Sequence, residues 1–501
     1  MSAILGNGTV TFGDGTIQST NAVNSLASVG FQYVSKLMNT SQQNGAYRHG
    51  FAIMSDGRVK GWGYDQTYTL GTGRTSVDRE YPVDVGFPDD FPGADQVFTC
   101  SNLAAFCIDV NGQLWSWGRN DYGSCGNGTA SPVSVPQNVS LLSSGSIYGK
   151  TVTFVSTPPG PEGIDFVMVL CSDGTAHAAG YNGYGQIGDG TTTNRVYFTR
   201  CGTLTGVTAI SCGRERYTSC SAVASGALYT WGYNGDYQVG QGNATSNVYS
   251  PVQRGNSLAG KTVTAVGHNQ LCAYALCSDG TLHGCGNQNY GQLGVGNRSA
   301  YSTYIQINTN VASFNASHYD YAICTVIKTD NTVYYAGYEG YIVGATINTP
   351  YYTHDIYGTV TGGPYDSWTQ NVTNGWYQLT GMTGTPQKVI HYGSGSYNVI
   401  AVLMTSGVIY AYGYNGEGNT GTGSTWAYIP IGYEGSTGYT GPLRVKCDLA
   451  ADIGSLGYSN IGCLMVLTRK GKLKLSGHPA DYQSGGLQRS TVAVPTLIPL
   501  A

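Results

Sequence analysis

Eight copies of a hairpin signature, an abundance of glycine and tyrosine, and the near absence of helical periodicity predict an all-β fold, a β-propeller of tandem four-stranded blades. There are 74 glycines and 40 tyrosines in 501 residues, and only 10% of the residues are charged. Glycine at this level suits a chain that turns often, because it reaches positive φ without steric cost. Tyrosine, valine and threonine suit half-buried strands. Length alone would suggest several domains, but an array of repeats overrides that expectation.

The signature is a turn, a short strand and a closing glycine. It reads SDGRVKGWG (55–63), VNGQLWSWG (110–118), SDGTAHAAG (172–180) and ASGALYTWG (224–232), then SDGTLHGCG (278–286), TDNTVYYAG (329–337), TSGVIYAYG (405–413) and RKGKLKLSG (469–477). Successive closing glycines lie 55, 62, 52, 54, 51, 76 and 64 residues apart. An apolar strand precedes each turn, as in CAYALC before Ser278, and an alternating strand follows it. A further strand lies upstream, as in VTAISCG (207–213), and a fourth follows a glycine-rich loop, as in YSPVQ (249–253). Four short strands per period make one blade, and stacking in a ring covers both faces of each. Eight repeats predict eight blades, with seven blades and one displaced repeat as the alternative. The segment SLASVGFQYVSKLMN (25–39) is too short and glycine-interrupted for a helix.

The composition excludes several function classes. The formal net charge is −4 and no lysine or arginine run occurs, which argues against nucleic acid as a partner. No stretch approaches 18 apolar residues and the N-terminus lacks a signal-peptide pattern, so neither membrane insertion nor secretion is expected. Thirteen cysteines without a C-x-x-C pair suggest neither a metal site nor a disulfide scaffold. Cys107, Cys220, Cys272, Cys324 and Cys463 recur at one phase and read as small buried hydrophobes. His49, His268 and His318 share another phase and read as hydrogen-bonding core residues. No nucleophile elbow, zinc-protease motif or phosphate loop occurs, so no catalytic residue, cofactor or metal is assigned. A glycan hydrolase on an inserted loop is the enzymatic alternative.

The loop after each closing glycine, as in YNGYGQIGDG (181–190), NQNYGQLGVG (287–296) and RNDYGSCGNG (119–128), resembles the repeat of the regulator of chromosome condensation family, and with degenerate sixth and eighth copies the resemblance covers 31–501. It implies a propeller serving as an interaction platform. The family's founding members are exchange factors for a small GTPase.

Residues 1–30 lie outside the repeat. The segment GTVTFGDGTIQSTNAV (8–23) resembles a short N-terminal motif of bacteriophage virion proteins, carried here by Thr11, Phe12, Asp14, Gly15, Thr16, Gln18 and Ser19. That resemblance implies a tail fibre or appendage, made in the host cytoplasm and located in the virion tail. Residues 1–30 would attach to tail or baseplate proteins, and a homotrimer would present the propeller to a host surface glycan or protein. A virion decoration that never meets the host, and a cellular propeller scaffold or GTPase regulator, are the alternatives. The expected receptor contacts are aromatics on two period-breaking insertions at about 357–384 and 424–441: Tyr365, Trp368, Trp376 and Tyr377 on the first, Trp426, Tyr428 and Tyr433 on the second. The repeat tyrosines, such as Tyr181 and Tyr233, read as packing between blades.

Overall fold

The computed structural model describes residues 4–6, 9–11, 17–19, 33–40, 49–74, 78–99, 103–158, 166–213, 217–243, 246–316, 323–337, 375–392, 399–414, 428–429, 443–445, 447–456, 463–477 and 492–497. They build eight antiparallel blades, one per repeat, which decides for eight over seven. The first blade pairs Val34–Leu37, His49–Met54, Val59–Gly63 and Arg79–Asp84 in that order, and the eighth pairs Ala450–Leu456, Cys463–Thr468, Leu473–Gly477 and Val492–Leu497. Val34–Leu37 falls in the stretch 25–39, too short and glycine-interrupted for a helix, and forms a strand there. Among the described residues the only helical elements are two three-residue 3-10 turns, Val139–Leu141 and Asn256–Leu258.

Burial is graded across each blade. First strands of neighbouring blades meet, as Val207–Cys212 does with Val263–His268, and so lie on the inside of the ring. The second strand is apolar and buried along its length in seven blades, including Ser219–Ala224 and Cys272–Cys277. The five cysteines of shared phase all lie on it and are fully buried. The fourth strand, such as Val248–Gln253, is the exposed outer edge. A register shift beside the closing glycine kinks its pairing in six blades, a form that discourages edge-to-edge association.

The closing glycine explains the signature. Gly118 and Gly232 take φ of 94° and 92°, and a Cβ there would sit 2.1 and 2.4 Å from the carbonyl oxygens of Leu103 and Thr218. Only glycine fits both the dihedral and the backbone approach.

Seven apolar clusters link the blades in sequence, each spanning neighbours. One joins Val34, Leu37 and Phe51 of the first blade to Met465 and Leu475 of the eighth, which closes the ring. The Val34 amide donates to the Gly471 carbonyl at 3.0 Å across this seam. The first and eighth blades each take their four strands from one stretch of chain, so this closure comes by side-by-side packing and not by exchange of a strand, whereas Asn39–Thr40 crosses from the first blade to pair in parallel with Ala94–Thr99 of the second.

Candidate partner-binding face

In an antiparallel blade the connections between strands one and two and between strands three and four emerge on the same face of the ring. The glycine-rich loops therefore share one face, and the Asp-Gly hairpin turns lie on the other.

In the first five blades, whose loops are described, each loop is folded around one buried side chain. Asn182 accepts the Ile187 amide at 2.9 Å on Oδ1, and its Nδ2 donates to the Thr191 and Thr193 carbonyls at 3.0 Å each. Asn120 repeats this with Cys125, Thr129 and Ser131 at 2.8, 3.0 and 3.1 Å. Asn234 accepts from the Val239 amide and donates to the Asn243 carbonyl, and Gln288 donates to the Ser299 carbonyl. A carboxamide suits this place because it accepts and donates at once.

A loop glycine then receives an aromatic plug from the next blade. A Cβ on Gly71, Gly126, Gly188, Gly240 or Gly294 would lie 2.4–2.7 Å from Trp117, Phe198, Trp231, Tyr304 or Trp376 respectively. Three plugs also donate an indole N–H: Trp117 to the Thr69 carbonyl at 2.9 Å, Trp231 to Gln186 at 2.8 Å and Trp376 to Ile307 at 3.1 Å.

Above the plugs runs a belt of tyrosine. Tyr68, Tyr122, Tyr184, Tyr237 and Tyr290 recur four or five residues beyond the closing glycine in the first five blades, and all are half-buried. Edge-to-face and tilted contacts extend the belt. Tyr122 meets Tyr181 at 5.3 Å, Tyr184 meets Tyr233 at 5.2 Å, and Tyr217 meets Tyr233 at 4.8 Å, which ties the second, third and fourth blades together. Tyr181 and Tyr233 thus pack between blades as expected. The charges among these loops include the pairs Arg119–Asp121 and Arg195–Asp189. The opposite face is ionic. It carries the pairs Asp56–Arg58, Lys150–Asp173, Lys261–Asp279 and Asp448–Lys474, with Asp89, Asp90, Asp330 and Lys470 exposed.

The expected contact residues fare differently. Trp376 is a blade-to-blade plug, and Tyr377 begins the outer strand Tyr377–Leu379 of the sixth blade, pairing with Tyr335 with rings 6.1 Å apart. Both are built into packing, which corrects their assignment to a free loop. Tyr428 lies in Tyr428–Ile429, which pairs with Ile409–Tyr414. Tyr365, Trp368, Trp426 and Tyr433 lie outside the described residues. Both insertions leave from third strands, ending at Gly337 and Tyr414, and so begin on the tyrosine face. The tyrosine belt itself was passed over, although its recurrence one loop after another was a readable signal.

His49 and His268 are buried, and His268 lies 3.1 Å from the Ser211 hydroxyl, in keeping with the core reading; His318 is outside the described residues. Burial pushes the thiols of Cys107, Cys220 and Cys272 well up, the setting of an inert cysteine. Among the described residues no group of three or more His, Cys, Asp or Glu is placed to hold a metal ion, and no helix is long and apolar enough to cross a membrane.

The family described as the regulator of chromosome condensation (RCC1) repeat matches residues 111–155 and 225–273. This chain carries repeats of that type. It is similar to the human E3 ubiquitin-protein ligase HERC2, with 27% identity over 58% of this chain and 6% of HERC2. It is also similar to the ultraviolet-B receptor UVR8 of Arabidopsis thaliana, with 26% identity over 50% of this chain and 53% of UVR8. The chain thus spans a small part of one relative and about half of the other. Two solved structures share the fold. Human WBSCR16 has a TM-score of 0.56 and 18% identity, covering 82% of this chain and 98% of that one. Yeast RCC1 (Prp20), solved with Kap60 bound, has a TM-score of 0.51 and 13% identity, covering 93% and 85%.

These relatives come from human, plant and yeast cells, and they overturn the virion reading. The chain is not assigned to a phage tail. The attachment role of Thr11, Phe12, Asp14, Gly15, Thr16 and Gln18, the homotrimer and the host receptor were expectations drawn from the same resemblance, and neither the fold nor the relatives test them. Thr9–Thr11 and Ile17–Ser19 form a small sheet with Ile4–Gly6, in which Thr11 pairs with Ile4 and Ile17, and Gln18 with Val10. Phe12, Asp14, Gly15 and Thr16 are outside the described residues. A dozen residues of hairpin-forming composition serve any short antiparallel turn as well as a virion motif.

Proposed function

We propose that the chain is a cellular interaction scaffold that binds a protein partner through the tyrosine face. The carrying observation is the contrast between the faces: one presents a belt of half-buried tyrosines on its loops, the other a concentration of ion pairs and exposed charges. Interface centres are rich in aromatics and poor in charge, and tyrosine gives a large contact area at low entropy cost. The relatives supply a cellular setting. Ubiquitin-ligase activity is a statement about HERC2, of which this chain covers 6%.

The test is cross-linking mass spectrometry on captured complexes, comparing the full chain with Tyr122→Ala/Tyr184→Ala and with Lys261→Ala/Asp279→Ala on the ionic face. Cross-links on the glycine-rich loops, lost in the tyrosine variant only, support the reading. Cross-links on the hairpin face, lost in the ionic variant only, overturn it. Capture of a small GTPase would narrow the scaffold to a GTPase regulator.

A further inference from the structure

The buried clasp residue is a carboxamide in the second to fifth blades, Asn120, Asn182, Asn234 and Gln288, but in the first blade it is Asp65. Asp65 keeps the accepting half of the job, taking the Leu70 amide at 2.9 Å on Oδ1. The donating half is missing, because an ionised carboxylate has no proton to give. Where Asn182 reaches the carbonyl nine residues on, the corresponding carbonyl here is that of Arg74. The Thr72 hydroxyl stands between, 3.3 Å from Asp65 Oδ2 and 3.5 Å from the Arg74 oxygen. One hydroxyl proton faces two acceptors, so one of them goes without.

The neighbour has changed in the same sense. The backbone amide of the clasp residue donates to Asn194 in the third blade and to Asn247 in the fourth, but to the carboxylate Asp78 in the first, at 3.1 Å. The charged groups acting on Asp65 are Arg79, which favours its ionised form, and Asp78, which disfavours it. The second blade packs Trp117 on Gly71 and Val135 on Gly73.

We propose that Asp65 is a proton-operated clasp on the 64–74 stretch of the loop. Protonated, it donates as well as accepts and holds the loop as the asparagines hold theirs. Ionised, it keeps only the Leu70 end. Burial raises its carboxyl from the usual carboxylate range to about 6, against the opposing Leu70 amide, Thr72 hydroxyl and Arg79 charge, so the change falls near neutral pH. The sign follows: the loop-closed state binds the proton more tightly than the open state, so closure is strongest below about 4 and weakens as pH rises through about 6.

The Leu70 amide is the reporter, since its hydrogen bond ends on Asp65. Hydrogen exchange of full-length protein, corrected for the intrinsic pH dependence, is expected to show Leu70 protection falling about tenfold from pH 5 to 7.5. Asp65→Asn is expected to abolish that fall. Asn182→Asp is expected to create one at Ile187, which keeps the test alive should the first variant fail to fold. A flat Leu70 profile in the unaltered chain, or the same fall in Asp65→Asn, overturns the clasp. Neither readout involves a partner, so the outcome is separate from the fate of the tyrosine face.

Discussion

His177 stands at the junction of two hydrogen-bond chains. Its Nδ1 lies 2.6 Å from the Ser146 hydroxyl, which is 2.8 Å from the Phe198 carbonyl. Its Nε2 lies 2.8 Å from the Thr175 hydroxyl, itself 2.6 Å from the Asp173 carboxylate that pairs with Lys150. The fifth blade repeats the arrangement around His283 with Ser257, Thr281, Asp279 and Lys261. A serine beside a histidine invites a catalytic reading, but the twofold occurrence inside blades marks a structural device. A cationic ring would satisfy every bond in the chain, whereas burial disfavours the charge. Burial prevails, with help from Lys150 and against the pull of Asp173, and lowers His177 from 6.5 to about 4. On acidification the unfolded chain takes the proton first. The stabilisation is therefore complete above about 6.5 and is lost as pH falls toward 4, by up to about 3 kcal/mol. NMR of the imidazole should find His177 neutral at pH 5.5, and the stability gap between the native chain and His177→Asn should narrow between pH 7 and 4.5. An imidazole titrating at 6.5 or above would show that the hydrogen bonds, not burial, set its charge.

The strands, their order within a blade and the closing glycine were readable because each repeats eight times and each has a steric cause. Gly118 shows this well: the same residue that ends the signature is the one that a backbone carbonyl approaches too closely for any side chain. Trp376 shows where reading along the chain gives out. It sits 39 residues past Gly337 in glycine- and asparagine-rich sequence, and the strand it precedes has three residues, too few for a period to register. Only the recurring glycine–aromatic contact reveals it as a plug equivalent to Trp117 and Trp231. Asp65 escaped for another reason, since its meaning lies in comparison with the same loop position in other blades. The plug role carries its own prediction. Trp376→Ala is expected to destabilise the fold by about 2–4 kcal/mol, through lost burial and an unpaired Ile307 carbonyl. Tyr184→Ala, on the half-exposed belt, should cost about 1 kcal/mol or less. Urea midpoints measure both, and an unchanged midpoint for Trp376→Ala would return that residue to the pool of binding candidates.

A closed ring of eight blades has eight seams, and its stability depends on all being covered. Ion pairs bridge first strands at two of them, Lys36 with Asp95 between the first and second blades and Lys388 with Asp452 between the seventh and eighth. These are exposed and contribute little, so the apolar clusters carry the seams. The seam between the eighth and first blades joins the two ends of the propeller in sequence, and there Val34, Leu37 and Phe51 share a core with Cys463, Met465 and Leu475. Deleting residues 446–501 would strip that cover and also bare Ile390, Val399 and Ala401 of the seventh blade, which pack on Ile453, Leu464 and Val466. In an open solenoid the loss of a terminal repeat removes one repeat's stability and leaves the rest folded. In a closed ring it exposes two apolar faces at once, without the polar outer surface of a capping repeat. The truncated chain is therefore expected to bind a hydrophobic dye strongly and to lose its cooperative unfolding transition, where the full chain shows one. A truncated chain that is monomeric, dye-silent and cooperative would mean that the blades stand as an open stack and that the seam at Leu37 adds little.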